Sequence, residues 1–224
     1  MIIPLVDHLI GHRYHLHERL GVGSMGAVYR ATDRLTQTPV ALKQVTTSLH
    51  NLGLVPSSPT PYHTSLNLAL ANEFQTLAAL HHPNIIDVLD YGFDPTGPYF
   101  TMEFLSDAQT IIDAGRALPL LGRVDLLIQT LHALVYLHRH GIIHRDLKPA
   151  NILVCNGTLK VLDFGLSVKH ERDTELTGTL AYIAPEVLTG EPATGAADLY
   201  AVGVMAYELF AGQHPFPTDN TSQL

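Results

Sequence analysis

One stretch, residues 144–165, constrains the fold and the chemistry of this chain more than any other. It contains two short apolar runs, Ile152–Val154 and Leu159–Leu162, with the dipeptide Asn156-Gly157 between them. Asn-Gly between two apolar runs is a strong signal for a tight β-hairpin. Because a hairpin brings its two ends close together, the residues before the first run are expected to lie near Asp163, which follows the second run.

Four polar side chains would then converge at the open end of the hairpin: Asp146, Lys148, Asn151 and Asp163. Carboxylate and amide oxygens are hard ligands of the kind that bind Mg²⁺ together with substrate phosphates. A further carboxylate can orient a hydroxyl group, and an ammonium group can neutralise a transferring phosphoryl group. A polar loop beside an ordinary hairpin is the alternative interpretation.

The pattern H-R-D-L-K-P-x-N at 144–151, with the later D-F-G, resembles the catalytic core of the eukaryotic-type protein kinases. Lys148, two residues after Asp146, is similar to the serine/threonine branch of that family. The resemblance implies that Asp146 is the catalytic base and that Lys148 stabilises the γ-phosphoryl group of ATP. It also implies that Asn151 and Asp163 hold Mg²⁺.

A second motif, G-x-G-x-x-G at 21–26, follows a strand-like run that begins at Arg13. In a dinucleotide-binding fold the third glycine opens a helix, whereas here the β-formers Val28 and Tyr29 follow it. The pattern therefore predicts a hairpin tip and resembles the kinase glycine-rich loop, which covers the phosphates of ATP. A plain hairpin turn is the alternative. The resemblance assigns these residues to nucleotide binding: Leu20, Gly21, Gly23, Ser24, Gly26 and Val28.

The strand pattern V-A-L-K at 40–43 resembles the V-A-I-K signature of the family. By this resemblance Lys43 binds the α- and β-phosphates, and Ala41 lines the adenine pocket. Residues 66–80 have helical spacing and resemble the kinase αC helix, so that Glu73 is expected to pair with Lys43. A solvated glutamate on a helix is the alternative for Glu73.

The segment after this helix resembles the part of a kinase that binds adenine. The resemblance makes Met102 the gatekeeper and Glu103–Leu105 the hinge, whose backbone would hydrogen-bond the base. Leu153 is assigned to the nucleotide pocket in the same way. The resemblance also sets the expected domain boundaries: an N-terminal extension at 1–13, a kinase N-lobe at 14–105 and a kinase C-lobe at 106–224.

A helical period of apolar residues runs from Val124 to His138 and ends at Gly141, a good residue to follow a helix. The period predicts a core helix with these residues on its apolar face: Val124, Leu127, Ile128, Leu131, Leu134, Val135 and His138. The later run D-L-Y-A-V-G-V resembles the start of the buried αF helix, so that Asp198 is expected to brace the backbone of the catalytic loop. His144 is expected to be a packed scaffold residue, stacked with three others: Leu77, Val88 and Phe164.

The residues that precede and include the pattern G-T-x-x-Y-x-A-P-E at 178–186 resemble an activation segment. In the family, an arginine at the position of Arg145 pairs with a phosphorylated residue of this segment in a charge-assisted contact. The candidate phosphoacceptors are Ser167, Thr174 and Thr177. A solvated hydroxyl is the alternative for each of them.

Composition argues against several classes of protein. Lys and Arg number 13 against 21 Asp and Glu, a net charge of −8, which argues against nucleic acid as a partner. The single cysteine, Cys155, excludes an intrachain disulfide, fits a reducing cytoplasm and is expected to be buried. Neither a signal peptide at Met1–Ile10 nor a membrane span at Leu199–Phe210 is predicted. The 14 histidines show no closed zinc arrangement.

The resemblance begins at about Tyr14 and implies an α+β, bilobal protein-kinase-like fold, with a small antiparallel-sheet N-lobe that holds one main helix and a helical C-lobe. Since 38 residues follow Glu186, the C-lobe is expected to be truncated and the chain to be a piece of a longer protein. The implied function is ATP-dependent transfer of the γ-phosphoryl group to serine or threonine hydroxyls of protein substrates in signal transduction. Two alternatives remain: a kinase-like binding module that does not catalyse, and a small-molecule phosphotransferase of related fold.

Overall fold

The computed structural model describes residues 9–23, 26–45, 74–163 and 180–216. Several residues singled out above therefore lie outside the described residues: Ser24, Glu73, Phe164, Ser167, Thr174 and Thr177. The chain divides into two compact units. The first comprises the described residues up to His81 together with Asp87–Leu105, and the second comprises His82–Ile86 together with the described residues from Ser106 onward.

The first unit is built on one antiparallel sheet. Its strands are β1 Leu9–Ile10, β2 Tyr14–Gly23, β3 Gly26–Asp33, β4 Pro39–Val45, β5 Val88–Asp94 and β6 Gly97–Glu103. They lie in the order β1-β2-β3-β4-β6-β5, and every neighbouring pair is antiparallel. β1 belongs to the predicted N-terminal extension, and it forms one edge of this sheet.

Alternation along the strands gives the sheet two different faces. One face carries an apolar cluster made of Ile10, Tyr14, Leu16, Ala31, Val40, Leu42 and Tyr99. The other face packs against helix α1, of which the structure describes residues 74–78. The ring centroid of Phe74 on α1 lies 5.3 Å from that of Phe100 and 5.5 Å from that of Tyr91. Aromatic pairs at such distances bury large apolar areas, so they fix α1 on the sheet.

A charged network ties three parts of the first unit together. The guanidinium of Arg13 donates to both carboxylate oxygens of Asp33, at 2.8 and 2.7 Å, and to Asp90 at 2.8 Å. The hydroxyl of Tyr14 donates to the same carboxylate of Asp90 at 2.8 Å. Because Asp33 accepts a forked pair of hydrogen bonds from Arg13, its pKa lies well below its usual range, although burial of the carboxylate opposes this shift.

The second unit combines helices with a small sheet. Its helices are α2 Ile111–Arg116, α3 Leu120–Arg139, α4 Pro185–Leu188 and α5 Gly195–Ala211, and its antiparallel strands are β7 Gln109–Thr110, β8 Ile152–Cys155 and β9 Thr158–Val161. The side chain of Thr194 caps α5 by accepting the N–H of Ala196 at 3.2 Å, and Gly212 ends it with φ of 74°. A side chain at Gly115 on α2 would collide with Leu209, so glycine allows α2 to approach α5 closely.

The β-hairpin predicted around Asn156-Gly157 is confirmed. The strands β8 and β9 pair antiparallel, and Cys155 lies opposite Thr158. Asn156 and Gly157 have φ of 50° and 77°, as a two-residue turn of type I′ requires. The prediction that Cys155 is buried is wrong: its position at the end of the strand leaves it partly exposed, where its thiol donates to the carbonyl of Ser106 at 3.2 Å.

Helix α3 packs with a different face from the predicted one. Its buried residues are Leu126, Thr130, Ala133, Leu134 and Leu137, so Leu134 is the one predicted face residue that is fully buried. The predicted residues Val124, Ile128, Leu131 and Val135 are exposed. The helix carries apolar residues around most of its circumference, and its periodicity therefore could not decide which stripe meets α5 and β9.

Helix α3 is, within the described ranges, also the one helix that is long and apolar enough to cross a membrane. The central helix of a soluble protein meets the same criteria of length and composition. Burial accounts for Leu126, Ala133 and Leu137 of α3, but 28% of its apolar stretch is buried, so burial leaves most of its apolar character unexplained.

The Arg13–Asp33 pair generates a prediction about stability. Asp33→Asn removes the charge of a buried acceptor and should lower the free energy of unfolding by about 2 kcal/mol, the value of a hydrogen bond to a charged group. Because the folded pKa of Asp33 lies below its unfolded value near 3.9, this contribution is complete above about pH 4 and is lost as the pH falls further. Urea unfolding at pH 7 and pH 3 measures both effects.

Glu18→Gln is the matched control, because Glu18 pairs with Arg30 in an exposed ion pair. We expect its unfolding midpoint to stay near that of the parent chain. Equal midpoints for Asp33→Asn and Glu18→Gln at pH 7 would contradict the role of the Arg13 network.

Candidate active site

The loop at 144–151 is shaped by one buried carboxylate. Asp198, in the first turn of α5, is 1% exposed. Its Oδ2 accepts the backbone N–H of His144 at 2.9 Å, and its Oδ1 accepts that of Arg145 at 3.0 Å. The imidazole Nε2 of His138 lies 2.8 Å from Oδ2. The prediction that Asp198 braces the backbone of this loop is confirmed.

The backbone at Arg145 needs this support. Its φ of 69° lies in the left-handed region, which costs a residue other than glycine on the order of 1 kcal/mol. The hydrogen bond from the N–H of Arg145 to Asp198 offsets that cost, because it satisfies a donor next to a buried charge. Because Arg145 directly precedes Asp146, the conformation of Arg145 sets the direction of the backbone at Asp146.

His144 is a packed scaffold residue, as predicted, and is fully buried. Its Nδ1 accepts the backbone N–H of Asp146 at 3.4 Å, and its Nε2 donates to the carbonyl of Leu162 at 2.8 Å. Burial lowers the pKa of His144, so the ring is neutral at pH 7 and carries its proton on Nε2. The imidazole thereby links the loop to the end of β9.

Three of the predicted site residues meet at the carboxylate of Asp146. Nζ of Lys148 lies 2.8 Å from Oδ2 and 3.1 Å from Oδ1 of Asp146. Nδ2 of Asn151 donates to Oδ2 at 3.1 Å and to the backbone carbonyl of Asp146 at 2.7 Å. These contacts hold the carboxylate of Asp146 in one orientation. About a fifth of its surface stays exposed, so a ligand can still reach it.

Asp163 lies beside this cluster at the end of the hairpin. The N–H of Leu162 donates to the carbonyl of Asn151 at 2.9 Å, which joins the two ends of the hairpin directly before Asp163. Asp163 itself has φ of 59°, so the chain turns sharply there. The carboxylates of Asp146 and Asp163 both oppose the lowering of the His144 pKa, because each lies near the imidazole.

The chemistry of these donors fits Mg²⁺. Because Nδ2 of Asn151 makes both hydrogen bonds of that side chain, Oδ1 is the atom that suits a cation. Asp163 supplies a carboxylate. In the described part of the chain no group of three or more His, Cys, Asp or Glu side chains is placed to hold a metal. Two protein ligands suit Mg²⁺, which keeps several waters and binds substrate phosphates.

Several candidate nucleotide residues of the first unit share one face of its sheet, whereas Glu103, opposite Val40, lies on the other face. Directly paired residues on neighbouring strands lie on the same face. The pairs are Gly21 with Val28, Val28 with Lys43, Lys43 with Phe100 and Ala41 with Met102. Lys43 is 3% exposed, and its Nζ lies 6.0 Å from the centre of the Phe100 ring. Glu73, its predicted partner, lies outside the described residues.

The glycines of this face leave room for a ligand. Gly23 pairs with Gly26 at the tip between β2 and β3, and Gly26 has φ of 143°. A Cβ at Gly21 or Gly23 would meet no atom of the described residues within 4 Å. The chain's own packing therefore does not require glycine at these two positions, whereas a phosphate group lying against the backbone would.

One residue of the predicted hinge, Glu103, is hydrogen-bonded to another residue of the chain, Asp87. The N–H of Glu103 donates to the carbonyl of Asp87 at 3.1 Å, and its carboxylate accepts the N–H of Asp87 at 3.2 Å. The N–H of Glu103 is therefore not available to an adenine base. Leu105 follows β6 and is partly buried, whereas Leu20 on β2 is about half exposed. Leu153, in β8, belongs to the second unit.

Sequence reasoning placed His138 on an apolar face and missed its contact with Asp198. The imidazole also packs against Gly195, where an added Cβ would approach its Cε1 to 3.0 Å. The available signal was the polar residue itself, in the last turn of an apolar helix. Sequence reasoning also missed Tyr182, whose hydroxyl donates to Glu208 at 2.6 Å. Burial and this carboxylate raise the pKa of Tyr182.

The family model described as "Protein kinase domain" matches residues 14–224. Serine/threonine-protein kinase Pkn1 of Myxococcus xanthus is 37% identical over 96% of this chain, and a probable serine/threonine-protein kinase of Streptomyces coelicolor is 34% identical over 94%. PknB of Lactococcus lactis, also a probable serine/threonine-protein kinase, is 34% identical over 96%. The aligned part covers 32% to 34% of these relatives, so the chain spans about a third of their length. The predicted family and fold class are confirmed.

The contacts of Asp198 generate a second prediction. Asp198→Asn keeps the shape of the side chain but turns an amide N–H₂ toward backbone N–H groups that need an acceptor. We expect the free energy of unfolding to fall by roughly 3 kcal/mol, because a buried donor is left unsatisfied. Asp113→Asn, at an exposed ion pair with Arg116, is the control and should change little. Denaturant unfolding measures the free energy of unfolding of both variants. Equal values for Asp198→Asn and Asp113→Asn would refute the bracing role of Asp198.

Proposed function

Because this chain belongs to the protein kinase domain family, we propose that it transfers the γ-phosphoryl group of ATP to serine or threonine hydroxyls of proteins. The observation that supports this proposal most is the arrangement at Asp146, whose carboxylate is oriented by Lys148 and Asn151 and stays accessible. The lysine two residues after the aspartate favours serine and threonine over tyrosine as the acceptor. The names of the relatives point the same way.

Asp146 acts as the base in the proposed reaction. It accepts the proton of the substrate hydroxyl as the bond between that oxygen and the γ-phosphorus forms and the bond from phosphorus to the β–γ bridging oxygen breaks, leaving ADP. Lys148 neutralises the charge on the transferred group. Positioning and electrostatic stabilisation supply most of the rate, since the transition state for phosphoryl transfer is loose.

The remaining roles follow the family pattern. Lys43 binds the α- and β-phosphates and is held by Glu73, while the glycines at 21, 23 and 26 let the backbone approach the phosphates. Mg²⁺, when bound, neutralises charge on the phosphates, and Asn151 and Asp163 supply its protein ligands. Met102 and Glu103–Leu105 border the adenine.

The proposal includes the setting of the reaction. We assign the chain a role in signal transduction in the cytoplasm, where ATP and protein substrates are available. The acidic net charge gives no support for a nucleic-acid partner. Further domains are proposed because the relatives are about three times as long as the part that this chain matches.

Radiolabelled phosphoryl transfer and thermal unfolding test this function together. The chain should phosphorylate itself or a mixed protein substrate, and Mg-ATP should raise its melting temperature, because a ligand that binds the native state stabilises it. Asp146→Asn should reduce transfer by at least about 100-fold, the usual effect of losing a general base, and keep the thermal shift. Lys43→Met should reduce both.

Asp113→Asn serves as the control, since this exposed carboxylate lies on α2 and has no role in the proposal. A thermal shift without transfer in the parent chain would indicate a binding module instead of an enzyme. Transfer to small molecules but not to proteins would indicate the other alternative. Full activity in Asp146→Asn would remove the assigned base.

A further inference from the structure

We propose that Gln129 on α3 is a positioning residue that fixes the β8–β9 hairpin and, with it, the candidate metal ligands Asn151 and Asp163. The inference rests on the proposed kinase function, because it gives Gln129 a part in placing the Mg²⁺ of that reaction. Gln129 lies on neither strand of the hairpin and does not contact the carboxylate of Asp146 through any hydrogen bond of its own.

The amide of Gln129 makes four hydrogen bonds within the second unit. Its Oε1 accepts the backbone N–H of Leu159 at 2.8 Å and Nδ2 of Asn84 at 2.9 Å. Its Nε2 donates to Oδ2 of Asp125 at 2.7 Å and, at 3.4 Å, to the carbonyl of Gly157. These bonds use both lone pairs and both N–H groups, so the neighbours fix the orientation of the amide.

Asn84 extends this connection along β9. It is buried, and its Nδ2 also donates to the carbonyl of Leu159 at 3.1 Å. Its backbone carbonyl accepts the N–H of Val161 at 2.9 Å, and the N–H of Ile86 donates to the carbonyl of Val161 at 3.0 Å. The hairpin is therefore attached to α3 and to the segment 82–86 at successive residues of β9.

The attachment leads directly to the candidate metal ligands. Asp163 lies two residues beyond Val161, and Asn151 is bonded to Leu162 across the hairpin. Asp146 follows Arg145, whose backbone N–H is held by a different anchor, Asp198 on α5. Without Gln129, β9 keeps its backbone bonds to the segment 82–86 but loses its attachment to α3. The end of the hairpin at Asp163 can then shift relative to Asn151 and Asp146, which are bonded to each other. Mg²⁺ tolerates such a shift poorly, since it demands near-ideal octahedral geometry.

Calorimetry with ADP separates positioning from general stability. We measure the affinity of the chain for ADP with excess Mg²⁺ and again with EDTA. In Gln129→Leu the affinity with Mg²⁺ should fall by up to about tenfold, the lower end of the loss seen when a direct partner of a metal ligand is removed, because Gln129 acts on the ligands only through β9. The affinity with EDTA should stay the same. A role in stability alone would lower the melting temperature and leave the gain from Mg²⁺ intact, and that result would overturn the proposal.

A charge-swapped pair provides the rescue. Gln129→Glu loses the N–H donors and sets a carboxylate against Asp125, so the gain from Mg²⁺ should shrink. Adding Asp125→Asn reverses the direction of that hydrogen bond and should restore most of the gain. Gln75→Leu, at an exposed glutamine of α1, is the matched control and should behave like the parent chain. Failure of the double variant to exceed Gln129→Glu would count against the proposal.

The parent chain distinguishes the two hypotheses. If it gains no ADP affinity from Mg²⁺, the proposed function fails, and amide hydrogen exchange then decides the role of Gln129. Faster exchange at Leu159 and Val161 in Gln129→Leu than in Gln75→Leu supports a clamp on the hairpin. Equal exchange in the two variants overturns it.

Discussion

The carboxylate of Asp198 is the interaction on which the arrangement at Asp146 depends. It is buried in the first turn of α5, where it accepts two backbone N–H groups of the loop and contacts His138. These contacts hold Arg145 in a left-handed conformation that is otherwise unfavourable for a residue other than glycine. An unpaired charge at that depth would be costly, so loop and helix form together or not at all.

A second support acts from the other side of the same unit. His144 connects the loop to the end of β9, and the Gln129–Asn84 pair connects β9 to α3. With the backbone held by these supports, direct contacts from Lys148 and Asn151 are enough to orient the carboxylate of Asp146. A site built this way places its polar groups on rigid elements, which suits a reaction that depends on positioning.

Local sequence patterns predicted the parts of the structure that local physics decides. Asn156-Gly157 specified its turn, and the spacing of Asp146, Lys148 and Asn151 is short enough that one loop brings them together. Long-range packing could not be predicted in the same way. Periodicity named Val124 and Ile128 as buried, although α3 packs through Leu126 and Ala133. The bond that occupies the N–H of Glu103 depends on the approach of Asp87, the residue just before β5, which no local pattern encodes.

Amide hydrogen exchange at His144 and Arg145 in the native protein tests the central claim most directly. If Asp198 holds both N–H groups in the interior, they should exchange only when the second unit unfolds as a whole, at a rate that reports its full stability. Exchange at these two amides as fast as at Thr36, in the exposed turn between β3 and β4, would contradict the account, because it would mean that the loop opens independently of α5.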